Sequence, residues 1–172
     1  MTWSTTGRTS ARVPDPEIRA FAPSDRDGVV ALMRELQQFE REFIPEHAAP
    51  DRAFGEWYVD RLLDVLREQD GVLLVATHDG TICGFGAGYV DDDPEARSQN
   101  FYIAELSVTE HLRGHGIGSR LIAALEDAAQ ARGLATVVIG VLAASTRVHG
   151  LYARLGYRDR AIRMRKKLGP PA

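Results

Sequence analysis

Apolar and polar residues follow two different periods along this chain, and the changes of period divide it into elements. At Val29, Leu32, Met33, Leu36 and Phe39 the apolar positions recur every three or four residues, the spacing of one helical face. Pro23, Ser24 and Asp25 supply a turn and a cap just before, so a helix is predicted from there to about Glu40. A second helix opens at Pro50 and Asp51, carries Phe54, Trp57, Tyr58, Leu62, Val65 and Leu66 on one face, and ends at Gly71. Its aromatic residues read as core side chains, with one edge of the helix free to line a pocket. Shorter runs rich in apolar and β-branched residues read as strands at residues 17–22, 72–77, 81–90, 101–108 and 135–143. His78, Asp79 and Gly80 join two of them as a hairpin. Gly84, Gly86 and Gly88 alternate within the second hairpin strand, which weakens it unless something packs close or the strand bends.

Residues 91–100, with four acids, read as a solvated polar loop. After the strand at 101–108 comes a helix with Ile117, Leu121, Leu125 and Ala128 on one face, running to Arg132 and closed by Gly133. A short helix capped by Ser145 presents Val148, Leu151, Tyr152 and Leu155 and is closed by Gly156. Residues 157–168 then mix Ala161, Ile162 and Met164 with Arg163, Arg165, Lys166 and Lys167, the pattern of a basic edge strand that resists edge-to-edge pairing. The order β-α-α-β-β-β-α-β-α-β predicts one α/β domain over residues 17–168. Its mixed sheet is antiparallel early, parallel where a right-handed crossover joins the central pair, and flanked by about four helices. Residues 1–16, rich in Ser, Thr, Arg and Pro, are predicted to be a flexible leader.

Composition narrows the function classes. A length of 172 residues suits one domain with a real core. A net charge of -3 argues against a general nucleic-acid binder, which would carry a basic excess. Cys83 is the only cysteine, so no intrachain disulfide and no Cys-rich zinc site can form; it reads as a small core residue rather than a nucleophile, and no metal site is expected. The longest apolar run, residues 137–144, is too short to span a bilayer, and no secretory signal is evident. A cytoplasmic protein is expected, with no nucleic-acid or membrane partner.

The candidate chemistry lies between Glu105 and Leu121, where a strand runs through a glycine-rich loop into a helix. Gly114, Gly116 and Gly118 alternate there. Glycine lets the backbone turn sharply and approach a ligand, and the first amides of a helix have no intrahelical partner. Such a loop is suited to phosphate or pyrophosphate. No lysine completes a Walker loop, and Ser119 or Leu121 stands where a dinucleotide fingerprint needs its last glycine. The spacing Arg-x-x-Gly-x-Gly, by contrast, is met by Arg113, Gly116 and Gly118.

That motif, after a strand ending Glu105-Leu106-Ser107-Val108, resembles the coenzyme A loop of the GNAT N-acetyltransferase superfamily. A second stretch, residues 139–144 followed by Leu151, Tyr152, Gly156 and Tyr157, resembles the strand and Leu-Tyr-x-x-x-Gly-Phe/Tyr end of the same family. The element order from Glu17 onward is similar too. The resemblance implies a GNAT fold whose central parallel strands splay apart to admit the pantetheine of acetyl-CoA. It implies that Leu106, Ser107 and Val108 line the cofactor and that Arg113, Gly114, His115, Gly116, Ile117, Gly118 and Ser119 hold its pyrophosphate. Ser145 stands where many relatives carry a cofactor-touching asparagine, and its reach is shorter. Tyr152 is implied to face the thioester sulfur as a general acid, or else to be a core aromatic. Glu105 is the candidate base for the amine, or else a strand acid with a structural hydrogen bond. A backbone amide near Val108 is the candidate oxyanion donor. The activity implied is transfer of the acetyl group to a primary amine, most simply a small molecule or amino acid, by direct attack. Acetylation of protein N-termini or lysines, or acyl-CoA binding without transfer, are the alternatives; a homodimer is compatible with the resemblance. A cationic acceptor is expected from Glu40, Glu42, Glu46 and the acids at 91–93.

Overall fold

The computed structural model describes residues 16–47 and 49–166. The leader expected at 1–16 lies outside the described residues except for Pro16. In chain order the elements are β1 (Glu17–Ala20), a 3-10 turn (Pro23–Asp25) leading into α1 (Arg26–Arg41), α2 (Arg52–Glu68), β2 (Val72–His78), β3 (Thr81–Asp93), β4 (Ser98–Val108), α3 (Ile117–Ala131), β5 (Val137–Ile139) and α4 (Thr146–Arg154). The strands lie side by side in chain order, antiparallel from β1 to β4 and parallel between β4 and β5.

Two helical layers cover the sheet. One side carries α1 and α2, whose Val29, Leu32, Met33, Val59, Leu62 and Leu66 close over Val75, Phe85 and Ala87. The other carries α3 and α4, where Ile122, Leu125 and Tyr152 meet Phe101 and Ile103. The hairpin turn places Asp79 and Gly80 at φ of 49° and 74°, as an Asp-Gly turn of this kind requires. The alternating glycines of β3 have a packing reason. A Cβ on Gly84 would lie 3.2 Å from Leu121 Cδ1 and one on Gly86 3.0 Å from Leu125 Cδ1, so α3 rests directly on bare backbone. The strand also bends, with a register shift between Ala87 and Gly88.

Five expectations need correction. Residues 91–100 are no loop: β3 and β4 stay paired out to Asp93 and Ser98, and the turn is confined to 94–97. Most of the polar side chains there are exposed on a hairpin tip, though Asn100 is buried, and Gln99 Nε2 donates across the tip to Asp92 Oδ1 at 3.1 Å. The face read on α2 is only partly the core face. Leu62 and Leu66 are buried as expected and Tyr58 packs against the core, but Gly55 and Val59 are buried too, while Trp57 is 56% exposed. The strand at 135–143 shrinks to β5, three residues paired to Phe101, Tyr102 and Ile103. No strand forms among the described residues of 157–166, where Ile162 and Met164 are 82% and 90% exposed. The alternation there is real, but β5 is too short to offer a ladder. Leu155 likewise lies at the surface rather than on the packed face of α4.

Candidate active site

The short pairing of β5 shapes the candidate site. β4 and β5 bond only as far as Ile103 and Ile139; beyond that the chain leaves β4, and a wedge opens beside residues 104–108. Thr109 N–H donates to Cys83 C=O at 2.9 Å, which fixes the alternation of β4. Glu105 and Ser107, in step with Thr109, turn their backbone groups toward β3. Leu106 and Val108, out of step, turn theirs into the wedge. Val108 C=O is already used there, accepting from Arg113 Nε at 2.9 Å. Ser107, expected beside them, is turned away: it is buried, with Oγ 3.5 Å from Leu32 C=O of α1.

At the end of the wedge the glycine loop enters α3. Gly114 and Gly116 hold φ of 86° and 83°, a conformation other residues rarely adopt. From Gly114 to Ser119 no backbone amide has a backbone partner among the described residues, and the first bond of α3 runs from Arg120 N–H to Gly116 C=O at 3.1 Å. Six amides in succession are thus open at a helix N-terminus, where the helix dipole favours an anion. Gly118 is different. Its φ is not positive, and a Cβ there would meet only Val108 Cγ2, at 3.9 Å. The fold does not need a glycine at 118, whereas a ligand lying against the backbone would. His115 caps the turn, its Nδ1 3.2 Å from Leu112 C=O. The Arg113 guanidinium stacks on the Phe39 ring of α1, 5.6 Å from its centroid. An open groove of about 650 Å³ runs between this arginine and α1, lined by Arg34, Glu35, Phe39 and Glu42; Glu105 and Tyr152 are not part of its wall.

Glu105 projects from β4 toward α1 and α2, where Tyr58 Oη donates to its Oε1 at 2.5 Å. Burial raises its pKa from the usual carboxylate range to about 7; the tyrosine bond opposes this and the nearby charge of Glu40 adds to it. Burial and the same carboxylate raise the Tyr58 phenol well above its ordinary value, so it stays a donor. Glu40 is itself half-buried, accepting from Gln37 Nε2 at 3.1 Å, and burial raises its pKa as well. Tyr152 lies on the other side of the sheet, 8% exposed, its ring 6.0 Å from that of Tyr157. Its hydroxyl has no hydrogen-bond partner among the described residues, and burial raises its pKa to about 12, which keeps it protonated. Ser145 is buried at the N-cap of α4 without a side-chain capping bond. Tyr58 was not legible as a site residue, because an aromatic on a helix face reads as core. Its hydroxyl, which a buried tyrosine has to pair, was the available signal.

The family model for the acetyltransferase (GNAT) family matches residues 30–157. This chain belongs to the GNAT acetyltransferase family. Among its relatives, an IAA acetyltransferase of Azospirillum brasilense is 32% identical over 78% of this chain and 80% of its own length. A thialysine N-epsilon-acetyltransferase of Bos taurus is 28% identical over 83% of this chain and 84% of its own length. In fold, the glucosamine-6-phosphate N-acetyltransferase of Arabidopsis thaliana superposes with a TM-score of 0.65 at 18% identity, covering 90% of this chain and 99% of that one. The GNAT member described here is therefore an acetyl-CoA-dependent acyltransferase, with acetyl-CoA as its cosubstrate. No helix among its described residues is long and apolar enough to cross a membrane.

Proposed function

We propose that this GNAT protein transfers the acetyl group of acetyl-CoA to a primary amine of a small cationic acceptor, by direct attack within the wedge. The observation that carries the reading is Glu105, a carboxyl held by Tyr58 beside the wedge with a pKa near neutrality. Such a group takes a proton from an ammonium and releases it again near pH 7. The free amine attacks the thioester carbon, the new C–N bond forms, and the C–S bond breaks as the tetrahedral oxyanion collapses. Glu105 accepts the ammonium proton directly or through one water. Val108 N–H, turned into the wedge, is the oxyanion donor in this scheme. Tyr152 gives its proton to the departing thiolate and is reprotonated, through water, by the second proton that the nitrogen sheds as the amide forms. Leu106 and Val108 line the pantetheine, while the open amides from Gly114 to Ser119 receive the pyrophosphate. The Arg113 side chain ties the loop to β4 and α1 in this reading, and Ser145 sits near the cofactor without a polar contact of its own. The setting proposed is the cytoplasm.

Support for an amine comes from the thialysine relative and from the acids on the α1 side. Not all expected acids contribute. Asp93 is paired with Arg160 at 2.8 Å and Glu46 lies 3.9 Å from Arg165, whereas Glu40 and Glu105 are acids whose pKa burial raises. The test is acetyl-CoA-dependent thiol release over amines, amino acids, polyamines, aminoglycosides and peptides at two ionic strengths. Cationic primary amines should be the best acceptors, with kcat/KM falling as salt rises. A neutral or anionic best substrate, or indifference to salt, refutes the acceptor class.

A further inference from the structure

Two desolvated carboxyls on the acceptor side of one site are more than a single base requires. Each has one oxygen engaged and one open. Glu105 Oε1 accepts from Tyr58, and Glu40 Oε2 accepts from Gln37. Neither Glu105 Oε2 nor Glu40 Oε1 has a hydrogen-bond partner among the described residues. No lysine or arginine among those residues lies within 4 Å of either acid; the basic side chain that does is His47, whose Nδ1 stands 3.9 Å from Glu40. A carboxylate withdrawn from water without a cation is unfavourable, and a bound cation relieves it. The reacting amine cannot do this for both acids. Once Glu105 has taken its proton, that nitrogen is neutral and Glu105 is neutral too. Glu40 is then left with only the Gln37 hydrogen bond and the 3.9 Å contact to His47.

Resting on the reading above, we propose that Glu40 is a specificity residue that holds a second cationic nitrogen of the acceptor, so that the acceptor class is a dication such as a short diamine. The aromatic wall suits such a substrate. Phe54, Trp57 and Tyr58 touch one another, with ring centroids 5.7 to 6.1 Å apart, and run from Glu105 out to the exposed Trp57. Ring faces of this kind attract an alkylammonium without hydrogen-bonding it. Glu40 does no chemistry here; it fixes where the chain of the acceptor lies.

The test compares cadaverine with pentylamine, equal in carbon chain and different by one cation, in wild type, Glu40→Gln and Glu40→Asp. Wild type should prefer the diamine by about tenfold or more in kcat/KM, the range of one charge-assisted contact. Glu40→Gln should remove most of that preference by raising KM far more for cadaverine than for pentylamine; because the Glu40 charge also raises the Glu105 pKa, the two amines are compared within each variant at the same pH. Glu40→Asp should keep part of it, which also guards against a folding defect in the other variant. Equal use of both amines by wild type, or an equal loss for both in Glu40→Gln, overturns the inference alone. No turnover of any amine by protein that binds acetyl-CoA removes the underlying reading and this inference with it.

Discussion

Tyr152 is the residue at which structure and chemistry are hardest to separate. It is a core side chain packed among Phe101, Ile103, Ile122 and Leu125, and it is also the proposed acid. Its hydroxyl makes no bond among the described residues, so removing it should cost the fold almost nothing. Tyr152→Phe should therefore leave the melting temperature and the acetyl-CoA Kd nearly unchanged. A thiolate with an ordinary thiol pKa leaves tolerably well near neutrality, so the acid should help without being indispensable. We expect kcat to fall by about 10²-fold, the low end for general acid catalysis. Pre-steady-state kinetics with a cationic amine checks this; wild-type turnover with chemistry rate-limiting would return Tyr152 to a purely structural role.

At the scale of elements, the glycine loop separates conformational need from ligand need. Gly114 and Gly116 are required by backbone angles, but Gly118 has room for a side chain in the free protein. Gly118→Val should fold and should lose CoA affinity by about tenfold or more, since a side chain there stands where the proposed site brings the backbone against the pyrophosphate. Calorimetry giving unchanged affinity in the folded variant would move the binding site elsewhere. This loop was legible in the sequence because its spacing encodes a local backbone path. The helices and the hairpin were legible for the same reason, through period and turn chemistry. What failed were features decided across the fold. Residues 91–100 pair because β3 and β4 continue, and polar side chains at a hairpin tip carry no sign of that. Residues 157–166 alternate like a strand, but pairing needs a neighbour, and β5 is three residues long. Tyr58 and Glu105 are 47 residues apart, so their bond is written only in the packing of α2 on β4.

The whole molecule works as a sheet opened between its last two strands. α3 packs on a glycine-bare stretch of β3, β5 stops pairing at Ile139, and the wedge between β4 and the chain beyond β5 faces the open amides of the loop. Across the sheet, α1 and α2 withdraw Glu105 from water and shift its ionisation toward neutrality. The sign of the pH effect follows. A base with its pKa raised to about 7 is protonated and idle below that value and active above it. Turnover should therefore rise with pH through an inflection near 7, about ten times faster for each unit below it, and level off beyond. The decisive measurement is the pH profile of kcat/KM for amine-dependent thiol release from acetyl-CoA, in wild type and in Glu105→Gln, with the acetyl-CoA Kd measured alongside. The account predicts an inflection near pH 7 in wild type. In Glu105→Gln it predicts a rate lower by about 10²-fold or more, without that inflection and with the acetyl-CoA Kd retained. A Glu105→Gln protein that matches wild type in rate and pH profile would contradict it.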